Sequence, residues 1–443
     1  MTWLQAVLTL PSLYQQVLSY HPLARSIALG PAIAQAEAQA AAGIWDPTLS
    51  INITEKRFKN QLYYNLLAGE LKVPVWNGID FKGLYEQTGG FTLNPEDITP
   101  SSGLVGFGFS VPLLGEGLLL DYRRAVIQKV RIYARVAEQE QRLAWAGLLL
   151  EIAQDYWAWF AAYHKARLYE EQVRIAKARL IFLRQALAQG EATRADTLEA
   201  LVEFQLRQQQ LTQSRAELLQ KALAVQRHIW QEPVPSPQTF VVEYRPDSTI
   251  PYVPRGVWDS LIVRHPKIQM YALKRQVADL ERRRALEQLR PRLQAEYLWL
   301  QQGLKWHNPL SRDWRSDYKF GITFAMPLYL RQARGNLLAA RLEIRQIEME
   351  QAYEARTLYN KAMGQIGLLD SLWGQVNLQR QLSEHLAQLV QLELIRYRNG
   401  ESDLFVVNRR EREAFSALLQ VYELYARYGV EVAQLRALLV WNE

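Results

Sequence analysis

The 443-residue chain is 49% hydrophobic and 22% charged, which excludes a disordered chain and supplies ample apolar material for ordered packing. It contains no cysteine, so disulfide frameworks, thiolate zinc sites, a cysteine nucleophile and an acylated N-terminal cysteine are all excluded within it. The net charge of +7 comes from 52 basic and 45 acidic residues interspersed along helical stretches, the pattern of solvated helix surfaces, and no nucleic-acid partner is expected.

No apolar run reaches the roughly eighteen uncharged residues that a transmembrane α-helix needs, so any bilayer contact has to be made by a barrel. Met1 to Leu10 has a short apolar stretch without a basic leader or a small-residue cleavage site, and reads as the start of a mature or truncated domain.

An internal repeat organises the rest. His21-Pro22 is followed 25 residues on by Pro47 and then Leu49; His265-Pro266 is followed 25 residues on by Pro291 and then Leu293. Each proline pair brackets a helix, because proline suits a first helical turn and pushes the residue before it out of the helical region. The first is alanine-rich over Ala32 to Ala42, with a kink expected at Gly30-Pro31; the second, Lys267 to Arg290, is more charged.

Strict alternation follows each helix, the period of a strand with two unlike faces. Leu49, Ile51 and Ile53 alternate with Ser50, Asn52 and Thr54, and Val105, Phe107, Phe109 and Val111 with Gly106, Gly108 and Ser110. In the second copy Leu293, Ala295, Tyr297 and Trp299 alternate with polar residues, as do Tyr318, Phe320, Ile322, Phe324 and Met326 with Lys319, Gly321, Thr323 and Ala325. Four strands are expected, at about 48–58, 104–112, 292–301 and 318–327. Between the first two, Lys59 to Gly103 reads as an external loop, with Leu71 to Trp76 and Ile79 to Gln87 as alternative added strands. The other hairpin loop, about Gln301 to Asp317, carries Trp306 and Trp314.

The second strand of each pair ends in a matching tag, Val111-Pro112-Leu113 and Met326-Pro327-Leu328. Long proline-free helices follow, at about Leu118 to Ala188 and Arg331 to Tyr397, each on the order of 100 Å at the α-helical rise. Both close at glycine turns, Gln189-Gly190-Glu191 and Asn399-Gly400-Glu401. Helices then return over about Thr193 to Trp230 and Asp403 to Val440. In each copy the short and returning helices together match the long one, so two helices are expected to stack end to end beside it. The first repeat is assigned to 10–231, an equatorial linker to 232–253 and the second repeat to 254–441.

Aromatic-rich apolar faces opposite small or hydrophilic ones suit a membrane barrel better than a sheet on a soluble core. Four strands cannot close a barrel and open edges are not tolerated in lipid, so oligomerisation is required.

The duplicated His-Pro helices, the Val-Pro-Leu and Met-Pro-Leu tags, and the turn stretches Gly190 to Leu198 and Gly400 to Phe405 resemble the TolC-like outer-membrane efflux proteins over nearly the whole length. The resemblance implies an α+β fold, in which a long antiparallel α-helical coiled-coil barrel joins four strands per chain of a trimeric, twelve-stranded transmembrane β-barrel. It implies an outer-membrane exit duct for efflux or type I secretion, a periplasmic adaptor, and an inner-membrane RND or ABC-type pump. Aromatic girdle positions would be Phe107, Phe109, Tyr297, Trp299, Tyr318, Phe320 and Phe324.

The glycine turns would form periplasmic tips. The polar gate of the family corresponds here to Gln185, Asp196, Tyr397 and Ser402. Serine stands where an arginine is expected, with Arg194, Arg396 or Arg398 as substitutes. Asp196 and Tyr397 either hold that gate or simply cap and pack the tip. Glu191, Glu401 and Asp403 make the tips acidic, either as a cation-favouring ring or as helix-start acids that complement the macrodipole.

No enzyme, cofactor or metal is expected. The six histidines are scattered without metal-ligand spacing, and His21 and His265 occupy equivalent pre-proline positions that suit helix starts. No Walker loop, dinucleotide fingerprint or nucleophile elbow is present. The competing reading is a soluble periplasmic coiled-coil scaffold or adaptor.

Overall fold

The computed structural model describes residues 6–115, 121–230, 240–241, 258–303 and 317–440. They form two compact units, each drawing on both sequence copies: one comprises residues 1–29, 140–268 and 353–443, the other residues 30–139 and 269–352. The elements in chain order are β1 (Ala6–Val7), α1 (Leu10–Tyr20), α2 (Pro22–Ala42), β2 (Thr48–Phe58), β3 (Gln61–Pro74), β4 (Asp80–Gly89), β5 (Leu104–Leu114), α3 (Tyr122–Ala188) and α4 (Arg194–Gln226). They continue with β6 (Phe240–Val241), α5 (Trp258–Arg264), α6 (Pro266–Glu287), β7 (Arg292–Gln302), β8 (Tyr318–Ala325), α7 (Arg331–Arg398) and α8 (Leu404–Leu439). Of the linker at 232–253 only Phe240 and Val241 are described, and they pair in parallel with β1. The loop residues Trp306 and Trp314 lie outside the described residues.

The second unit carries one antiparallel sheet of six strands in the order β2-β3-β4-β5-β7-β8. This corrects the expectation of four strands. The segment 59–103 is not simply an external loop: it holds β3 and β4, inserted in the sheet between β2 and β5. Lys59 and Asn60, with φ of 50° and 62°, make the two-residue turn whose twist matches a right-twisted hairpin. The turn signal was weak because neither residue is glycine. β3 hid its period because Leu66 and Leu67 are adjacent, so apolar residues fall on both faces. Pro112, which has no N–H for the ladder, coincides with a register shift between β5 and β7.

Register sorts the residues into two faces. One carries Leu49, Ile51 and Ile53 of β2, Leu67 and Leu71 of β3, Phe81 and Tyr85 of β4, Phe107 and Phe109 of β5, then Tyr297 and Trp299, Phe320 and Ile322. The other carries Ser50, Asn52, Glu70, Lys72, Lys82, Gly108, Ser110, Gln294, Glu296, Lys319 and Thr323. β2 and β8, the two edges, are exposed along their whole length.

In the same unit α3 packs on α6 through Ile132, Val136, Leu273 and Val277, and Lys129 pairs with Glu281 at 2.9 Å. Pro31 lies within the continuous span of α2, where a kink was expected.

The first unit is built around an aromatic core on α3: Ile152, Tyr156, Trp159 and Phe160 pack with Leu13 and Val17 of α1, Val225 of α4, and Tyr425 of α8. Gly429 on α8 is required because Trp157 lies against it; a Cβ there would come within 2.1 Å of the indole. The two His-Pro motifs act alike. The Nδ1 of His21 accepts the N–H of Leu23 at 3.1 Å, and that of His265 accepts the N–H of Lys267 at 3.2 Å. Each imidazole therefore satisfies an orphan donor at a helix start, as equivalent repeat positions suggested.

Candidate functional site

Two places carry the candidate residues. The first is the sheet. Six of the seven predicted girdle residues gather on its apolar face as cross-strand neighbours: Phe107 faces Trp299 with ring centres 5.6 Å apart, Phe109 stacks on Tyr297 at 6.4 Å, and Tyr297 stacks on Tyr318 at 5.5 Å. Phe320 meets Tyr297 at 6.3 Å. Phe324 shares the face but pairs with Leu293, further along β8. Phe320 and Phe324 are 55% and 64% exposed, and Leu49, Ile51 and Ile53 on the far edge are 70%, 63% and 71% exposed.

The opposite face is mixed: it carries Leu66, Leu84, Leu298 and Leu300 beside polar residues that are joined by ions and hydrogen bonds. The Nζ of Lys82 reaches Glu296 at 2.9 Å, crossing β5 where it carries Gly108 and Ser110. Gln294 donates to the Oγ of Ser110 at 2.6 Å. The β3–β4 turn is anchored to the start of α3: Gly78 donates its N–H to Asp121 at 3.1 Å, Asp80 lies 2.7 Å from Arg123 and 3.3 Å from Lys72, and Arg124 covers the Trp76 ring. The Asp80–Arg123 contact is ionic and is not aligned as a hydrogen bond. Sequence reading missed these anchors because their partners lie some 40 residues apart.

The second place is the pair of helical tips, both in the first unit. Gly190 and Gly400 have φ of +78° and +76°, the left-handed region that glycine enters without strain. The N–H of Gly190 donates to Leu187 and that of Glu191 to Ala186; those of Gly400 and Glu401 donate to Tyr397 and Arg396 in the same pattern. Both turns thus satisfy the last helical carbonyls as predicted.

Within the chain Asp196 closes a capping box: its carboxylate accepts the N–H and hydroxyl of Thr193 at 3.0 and 2.6 Å, and its own N–H donates to Thr193. These hydrogen bonds hold its carboxyl below the usual range. Asp403 caps α8 by accepting the N–H of Val406 at 2.8 Å. Tyr397 packs against the cluster of Leu180, Leu183 and Leu404. Gln185, Glu191 and Glu401 are exposed. Among the described residues no hydrogen bond joins Gln185, Asp196 and Tyr397.

Ser402, where an arginine was expected, donates to Glu393 at 2.5 Å, and Arg396 lies 3.7 Å from the same carboxylate. Arg396 is thus the arginine that engages the tip, through a buried glutamate that sequence reading passed over. A larger network lies behind it. Arg179 of α3 contacts Asn408 and Glu411 of α8, and Arg207 of α4 reaches Glu411 at 3.2 Å and Glu203 at 2.8 Å. It ties the first hairpin to the second through nearly buried charges.

A two-faced antiparallel sheet together with two long helical hairpins closed by glycine turns is the fold of the TolC-like outer-membrane channels. No family model and no curated protein matches the sequence. Solved structures do. A membrane protein from Pseudomonas aeruginosa aligns with a TM-score of 0.71 at 15% identity, over 99% of this chain and 92% of that one. The Campylobacter jejuni CmeC outer membrane channel aligns at 0.69 and 11%, over 97% and 85%. The open state of the Neisseria gonorrhoeae MtrE outer membrane channel aligns at 0.69 and 14%, over 97% and 88%.

Proposed function

We propose that the protein is the outer-membrane exit duct of an efflux or type I secretion system, passing substrates delivered by an inner-membrane pump through a periplasmic adaptor. The observation that carries this reading is the six-stranded sheet with one aromatic-rich apolar face, an opposite face that holds the charged and polar strand residues beside four leucines, and two open edges. In lipid an open edge leaves backbone groups without partners, so β2 of one copy has to meet β8 of the next. Three copies supply eighteen strands in place of the twelve expected from four per chain, an even number in the range of barrels with aqueous lumens. The aromatic residues then form the girdle and the Lys82 face lines the lumen.

Association is supported by exposed apolar stripes at helical spacing: Leu198, Val202 and Leu206 on α4, and Leu378, Leu382, Leu389 and Leu392 on α7. Solvated helices do not carry such rows, and a neighbouring copy would cover them. At the tips Asp196 and Tyr397 have local structural roles within one chain, and a gate would add contacts between copies. None of the described helices is long and apolar enough to cross a membrane.

The absence of cysteine makes a clean test. Asn52→Cys on β2 with Thr323→Cys on β8 should give oxidised trimers from outer membranes, and the purified protein should conduct ions in planar bilayers. A monomer that is soluble without detergent and silent in bilayers would support the coiled-coil scaffold instead. Asp196→Ala with Tyr397→Phe should raise conductance if the tip is a gate.

A further inference from the structure

In the strand-bearing unit, residues of α3, α6 and α7 line a groove of about 880 Å³. Five arginines line it: Arg131 and Arg135 from α3, and Arg275, Arg282 and Arg283 from α6. Asp279 is the one acidic residue in the lining. It lies 2.7 Å from Arg282 and 2.8 Å from Arg283, and Arg275 pairs with Glu348 at 3.1 Å. Five guanidiniums therefore share two carboxylates.

The excess is focused on α3. Arg131 and Arg135 are exposed, stand one helical turn apart on one face, and pair with no carboxylate among the described residues. Like charges at that spacing destabilise a helix, so helix stability does not account for them. Arg282 adds a second observation: its Nε is shielded from solvent without a hydrogen-bond partner, although its other end contacts Asp279. A shielded N–H left open in a groove of unneutralised guanidiniums lacks an acceptor.

We propose that this groove is a binding site for compact multivalent oxyanions, held by Arg131, Arg135 and Arg282. A planar guanidinium offers paired N–H donors that match two oxygens of a phosphate or carboxylate, which a point charge cannot do. The site stands apart from the duct reading. Its role as a station for anionic cargo rests on that reading.

The test is calorimetric titration of the full-length, detergent-solubilised protein with pyrophosphate, for wild type, Arg131→Gln/Arg135→Gln, and Arg409→Gln/Arg410→Gln on α8, which is not part of the groove lining. Saturable binding by wild type is expected, weakened at least about tenfold by the groove variant, unchanged in the α8 variant, and weakened as salt is raised. Absence of saturable wild-type binding, or equal binding by the groove variant, would overturn the site. Circular dichroism of the groove variant checks that it folds. Bilayer conductance of the same preparation tests the duct separately, since a conducting protein that binds no pyrophosphate keeps the duct and loses the site.

Discussion

The ammonium of Lys82 on β4 lies 2.9 Å from the carboxylate of Glu296 on β7, with β5 running between them. The inserted hairpin is thereby tied to a strand from the other sequence copy, over a stretch of β5 whose side chains are Gly108 and Ser110. A loop that only rested near the sheet would make no such crossing. The pair is partly exposed, so its net contribution to stability is small; its value is in showing which face is more polar.

The backbone approach beneath that pair gives the first prediction. A Cβ at Gly108 would fall 1.8 Å from the carbonyl oxygen of Tyr297, whereas one at Gly321 on β8 meets nothing within 4 Å. Gly108→Ala should destabilise the folded protein by about 1–3 kcal/mol or abolish its assembly, with Gly321→Ala near neutral. Thermal melts of the two purified variants check this, and equal melting temperatures would refute it.

The hairpin anchor gives the second. Asp121 is buried and accepts the N–H groups of both Gly78 and Arg123. Asp121→Ala leaves those donors without their acceptor, at a cost of about 1–3 kcal/mol. Limited proteolysis should then cut within 74–80 in the variant and spare the wild type.

Glu411 supports the third. It is nearly buried between Arg179 and Arg207, and removing it leaves Arg179 with the neutral Asn408 and takes from Arg207 one of its two carboxylates. Glu411→Ala should cost about 3–5 kcal/mol, far more than Glu413→Ala in the exposed Arg410 pair, which should cost less than about 1 kcal/mol. Denaturant unfolding of both variants measures the contrast.

A fourth concerns acid. Burial, with a smaller contribution from Arg167, lowers the pKa of His164 from 6.5 to about 4 while its ring stacks on Tyr422 at 4.3 Å. Below pH 6.5 the unfolded chain takes up a proton that the folded one refuses, so stability falls as pH drops from about 6.5 towards 4. His21 and His265 are shifted the same way by burial and add to the trend. The melting temperature of His164→Phe should fall less than that of wild type between pH 7.5 and 4.5, and parallel slopes would contradict the assignment.

Much of the fold was legible because the signals were local. Proline spacing, two-residue alternation and left-handed glycines each act through neighbours along the chain, and the helices end within a few residues of where those signals put them. β4 was legible as the alternative strand at Ile79 to Gln87, but β3 was legible only near Leu71 because adjacent Leu66 and Leu67 blur the alternation, and register with β2 and β4 decides its pairing. The tip was half legible. Gly190, Gly400, Asp196 and Asp403 announce themselves as turn and cap residues, but Glu393, Arg179 and Glu411 acquire their roles only when distant helices meet. Ser402 shows the limit of position matching, since the arginine that engages Glu393 comes from Arg396, six residues earlier.

Electron cryomicroscopy of the full-length protein in lipid nanodiscs tests the central claim most directly, because it counts chains and strands together. Three chains and an eighteen-stranded wall closed by β2 against β8 are expected, with Phe107, Trp299 and Tyr318 facing lipid. A twelve-stranded barrel with residues 61–89 outside the wall, or a particle with its sheet in water, would contradict that claim.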